Sequence, residues 1–176
     1  MKARVSACFL MLCALAGFGC ESPASPSPPV DLFAPTAMRV HPIFTQIANW
    51  THSPKPDGIE AQLEFTDQFD DPTKASGRAL FELFDYRKDS PDPRGKRLGW
   101  WKGSLETPAE QRQRWNKTLR TYRFQLDYPA VSPSQAYVLV ATFELSGGGR
   151  FFSSIVLPAH APEKTEHKSP LGLGAQ

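Results

Sequence analysis

The sequence predicts an all-β protein: an antiparallel β-sandwich of about seven strands with one short crossover helix near residues 108–116. Three observations lead there. Apolar and polar residues alternate with period two through the middle of the chain. Clusters of Gly, Pro, Asp and Ser separate the alternating runs. Only one stretch carries the signals of a helix start.

The alternation is clearest in "GIEAQLEFT", where Ile59, Ala61, Leu63 and Phe65 interleave with Glu60, Gln62, Glu64 and Thr66. Such a strand has one buried and one wet face. "TYRFQLDY" repeats the pattern with Tyr122, Phe124, Leu126 and Tyr128. "AYVLVATFEL" is apolar on both faces, the mark of a central strand, and "GRALFELFDY" is similar around Phe81 and Leu83. "AMRVHPI" starts the domain, and Pro42 confines it to an edge or a bulge. "RLGWWKGSL" is short and aromatic; "RFFSSIVL" closes the domain after the glycine turn "SGGG". The helix begins at "ETPAEQRQRWN". Thr107 is placed to cap, Pro108 takes the first helical position, and Glu110 completes a Thr-x-x-Glu box.

"SPSQAYVLVATF" resembles the start of the sixth strand in immunoglobulin-like and fibronectin-like domains. The resemblance implies that Tyr137 hydrogen-bonds back across the preceding corner. The antibody cysteines are missing, so the likeness is to the broad sandwich class, and a transthyretin-like sandwich fits the same pattern.

Residues 36–160 suit one compact domain with its own core. Before them, Cys20 and the Pro/Ser-rich spacer "ESPASPSPPVDLFAP" make up residues 20–35, read as an extended, semi-rigid stalk. After them, residues 161–176 read as a disordered tail.

Residues 1–19 have the layout of an export signal. Lys2 and Arg4 precede the apolar run "VSACFLMLCALAGF", which is too short for a membrane-spanning helix of about 20 residues. Cys8 and Cys13 fall within this segment, which leaves Cys20 as the lone thiol of the mature chain and excludes an internal disulfide. "GFGC" followed by a polar spacer resembles the cleavage box of bacterial lipoproteins. That resemblance implies cleavage before Cys20, a diacylglycerol on its thiol, and membrane lipid as the partner of the N-terminus. A diacylated cysteine supplies the more than one chain that stable anchoring requires. By the same resemblance, Glu21 points to the outer membrane, facing the periplasm, in a cell with two membranes. The alternative is a secreted soluble chain cut after Ala16, within the small-x-small run Ala14-Leu15-Ala16. As a whole, the mature chain resembles small exported bacterial lipoproteins with one sandwich domain, a family that supplies no catalytic residues.

Removing Lys2 and Arg4 from the 20 basic residues leaves as many bases as the 18 acids, so no nucleic-acid footprint is expected. The basic run around Arg112, Arg114, Lys117, Arg120 and Arg123 reads as a solvated face. Nucleophile motifs, phosphate-cradling glycine loops and short-range histidine metal patterns are absent, so neither an enzyme nor a cofactor is expected. Asn49, Thr51, Ser53, Asp57 and Glu60 have the spacing of an EF-hand-type calcium loop, with Pro54 in place of its glycine. The competing reading is a proline-rich turn that launches the strand at Gly58. Asp67, Asp70 and Asp71 read as a turn. Adjacent Trp100 and Trp101 must face opposite sides of one strand; Trp101 is the candidate stacking platform of a carbohydrate-binding module. The leading expectation is a non-catalytic lipoprotein with an envelope interaction or structural role, its partner an envelope protein or glycan.

Overall fold

The computed structural model describes residues 31–159. The signal, Cys20, most of the stalk and the tail lie outside the described residues. Ten strands and one helix form two antiparallel sheets packed face to face. The first sheet runs β1 (Ala37–Val40), β3 (Gly58–Thr66), β8 (Thr121–Asp127) and β7 (Trp115–Asn116), with β2 (Gln46–Ala48) and β4 (Pro72–Thr73) also paired to β3. The second runs β10 (Arg150–Leu157), β9 (Tyr137–Leu145), β5 (Gly77–Tyr86) and β6 (Arg94–Ser104). Three main strands in the first sheet and four in the second make an antiparallel β-sandwich.

All seven expected strands are present. The three additional ones are two or three residues long and polar or proline-containing, too short to show a period. β1 stops at Val40, and the chain turns at Pro42, which leaves Ile43 exposed instead of in the strand. Helix α1 (Pro108–Arg114) is two residues shorter than expected. Trp115 and Asn116 pair with Tyr122 and Thr121, and the Trp115 ring packs 4.8 Å from that of Tyr122. Burial of an indole against the core outweighs another half-turn of exposed helix. The Thr107–Glu110 capping box forms, with both reciprocal hydrogen bonds.

Helix α1 carries the chain from the second sheet to the first. It buries no residue, so its own face does not hold it in place. Gln111 does: its Nε2 donates to the carbonyls of Ala75 and Leu105, both at 2.7 Å, and its Oε1 accepts from the Tyr122 hydroxyl. Burial pushes the Tyr122 phenol up to about 12, so it stays a donor at neutral pH.

The core lies between the sheets. Phe65 of β3 meets Phe143 of β9 edge-on at 4.7 Å, and Phe81 of β5 meets Phe124 of β8 at 4.9 Å. These cross-sheet aromatic pairs add roughly 0.5–1.5 kcal/mol each beyond area burial. Tyr137 closes the corner before β9: its hydroxyl accepts from Ser132 N–H at 2.9 Å and lies 3.0 Å from Gln135 Oε1. The β9–β10 hairpin turns at Gly148 and Gly149, with φ of 93° and 97°, a region that costs glycine nothing.

Candidate functional site

Registers place the residues of the second sheet's outer face in rows. Phe152, Thr142, Leu80 and Lys102 form one row; Ser154, Val140, Glu82 and Trp100 form the next. A third row brings Val156, Val138 and Phe84 together with Arg97. Phe152 is 66% exposed, Trp100 54% and Val156 46%. Val138 is buried although it lies on this outer face, beside the loop that carries Pro93. The face therefore carries apolar side chains on all four strands, with Glu82 standing among them on central β5. Ion pairs cross and flank it: Arg97 with Glu82 at 2.9 Å, Arg78 with Glu106 at 2.9 Å, and Arg150 with Glu144.

Two hollows flank Phe152. One, of about 470 Å³, lies toward Pro93, Val138 and Ser154. The other, of about 700 Å³, crosses all four strands and ends against α1. Leu80 and Thr142 line it, together with Phe152 from β10, Lys102 from β6, and Glu110 and Arg114 from the helix. Its volume is within the range of ligand sites.

Trp101, the stacking platform expected from the sequence, is held against the core side of the sheet. Trp101 is half-buried: its ring packs edge-on to Tyr128, its Nε1 donates to the Asp127 carbonyl at 3.1 Å, and it lies over Gly99, where a Cβ would come within 2.8 Å of the indole. The register Phe81↔Trp101 and Glu82↔Trp100 turns Trp101 toward the core side and Trp100 outward. Lys102 Nζ sits 5.6 Å from the Trp100 ring centroid.

The calcium-type spacing folds into a turn. Asp57 accepts from the N–H groups of Trp50 and Thr51, both at 2.7 Å, and from the Thr51 hydroxyl at 2.6 Å. Those bonds, with the Thr51 hydroxyl first, hold its carboxyl below the ordinary carboxylate value. The Asn49 amide donates to the Ser53 carbonyl, and the Ser53 hydroxyl to that of Lys55. Glu60 lies outside this loop, on β3, where it accepts from Gln62 and sits 3.9 Å from Arg123. Among the described residues, no three His, Cys, Asp or Glu side chains gather as a metal cage. The Asp67–Asp71 segment is a turn as well, closed by Asp67 accepting from Phe69 and Asp71 N–H.

No described helix is long and apolar enough to cross a membrane. Comparison with family models, curated proteins and solved structures returns no match. Sequence reasoning missed Phe152, Leu80 and Arg114, which meet only through strand register and the placement of α1. The available signal was the apolar character of β5 and β9 on both faces.

Proposed function

We propose that this chain is an exported, lipid-anchored envelope protein whose sandwich binds another envelope protein, without catalysis, through the outer face of the second sheet. One observation carries the binding assignment: large apolar side chains, Phe152, Trp100 and Val156, stand exposed together on one sheet face among paired charges, a mixture found at protein interfaces. The lone mature thiol at Cys20 and the Pro/Ser-rich segment after it support the tether. At about 3.1 Å per residue, that segment would hold the domain some tens of ångströms from the lipid.

Membrane fractionation tests the tether. The wild-type chain partitions with membranes and Cys20→Ala does not. An intact mass for an unmodified chain starting at Gly17 contradicts it and supports the soluble secreted form.

A further inference from the structure

Charge is uneven along the larger hollow. Four cations line it, Arg78, Lys102, Arg114 and Arg150, against two carboxylates, Glu110 and Glu144. Glu144 is paired with Arg150. Glu110 is occupied by the Thr107 N–H and by the hydroxyls of Thr107 and Ser104. Arg78 is held by Glu106. Lys102 and Arg114 make no ion pair among the described residues, and both lie at the β6–helix end of the hollow. The Arg114 guanidinium stacks on the Phe124 ring at 4.6 Å, and its Nε is buried with no acceptor. A buried donor left unpaired is costly, and a planar guanidinium is matched to a carboxylate. At the β10 end Phe152 stands exposed beside the Arg150–Glu144 pair, and Leu80 lies between the two ends, one strand from Lys102.

We propose that this hollow receives an extended segment of a partner protein, with an apolar side chain on Leu80 and Phe152 and a carboxylate on Lys102 and Arg114. The proposal rests on the reading of this face as the binding surface. Scale fits: the hollow spans three interstrand steps of about 4.8 Å, roughly 14 Å, and an extended chain advances about 3.3 Å per residue. A segment of about four residues therefore bridges the two ends. Cations outside any ion pair among the described residues at one end, and the exposed Phe152 ring at the other, give the segment a direction as well as a composition.

The test uses the full chain carrying Cys20→Ala and three synthetic peptides, acetyl-Phe-Ser-Gly-Asp-amide and its counterparts ending in Asn or Lys. The acidic peptide is expected to shift the amide resonances of Leu80, Thr142 and Phe152 saturably. The Asn peptide should bind about tenfold more weakly, the loss of one charge-assisted hydrogen bond. Lys102→Gln, an exposed change, should reduce the difference between the two peptides. Equal affinity for acid and amide, or shifts that avoid the hollow, would overturn the proposal. Self-association through this face, seen by sedimentation and abolished by Phe152→Ser, would assign the hollow to a second copy instead and overturn it too. An acid-blind peptide that still shifts hollow residues refutes the ligand chemistry alone; crosslinking from position 152 tests the face independently.

Discussion

On the outer face of the first sheet, Arg39 lies 2.6 Å from Glu64, Gln62 bonds to Glu60 and receives the Thr121 hydroxyl, and Gln125 faces solvent. On the outer face of the second, Phe152, Val140, Leu80, Phe84 and Trp100 share the outward positions with Thr142, Ser154, Glu82 and Lys102. Both faces come from the same architecture, and each inner face supplies one half of the same core. Stability needs only the inner faces to be apolar. The polar first face meets that requirement and goes no further. Apolar residues on the second are surplus to it, and the proposed interaction surface would account for them.

The strongest test of this division sets the two sides of one strand against each other. Phe81, on the inner side of β5, is fully buried against Phe124. Phe81→Ala is expected to destabilise by about 3–5 kcal/mol in urea unfolding. A cost below about 1 kcal/mol would mean that the inner face is not the stabilising one.

A smaller effect comes from the polar face. Gln62 is 2% exposed, and its side-chain oxygen is the acceptor for the buried Thr121 hydroxyl. Gln62→Ala leaves that hydroxyl without its partner, at a cost of about 1–3 kcal/mol in the same assay. Thr121→Val in the Gln62→Ala background should recover part of it.

Acid sharpens the contrast further. The folded chain holds the Asp57 carboxyl below its ordinary value, through hydrogen bonds within the β2–β3 loop. Its contribution is present above the unfolded value and is lost as pH falls through the folded one. Stability should therefore decline with acidification below the ordinary carboxylate range, and Asp57→Asn should flatten that decline. Phe152→Ser should leave it unchanged, since the outer face of the second sheet contributes no part of this loop.

The least effect on folding is expected at Phe152 itself. Phe152→Ser should change stability by no more than about 0.5 kcal/mol, because the side chain is already exposed. The same change should lower binding of an apolar fluorescent dye to the folded protein.

Much of the fold was legible in the sequence because a half-buried strand writes its period into the chain. β3 and β8 alternate almost without error, and Tyr137 and the Thr107 capping box are local signals that hold whatever surrounds them. β5 and β9 read correctly as central strands. Parity within β6 was not legible. Whether Trp100 or Trp101 faces out depends on registration against β5, which shifts at Leu83/Phe84, and alternation alone has no absolute phase. The end of α1 was set by Trp115 reaching Tyr122, a tertiary contact seven residues along the chain. The larger hollow draws on four strands and a helix, so no local stretch contains it. Asn49, Thr51, Ser53 and Asp57 did come together as their spacing suggested, but their polar groups largely satisfy one another and the backbone.

Photocrosslinking in the native host tests the assignment of faces most directly. A photoreactive amino acid is placed at Phe152, on the second sheet, or at Gln125, on the first, in the full tethered chain. The expected result is a discrete adduct with one envelope protein from position 152 and none from position 125. Adducts from position 125 alone, or the same adducts from both, would contradict the claim that the second sheet's outer face is the binding surface.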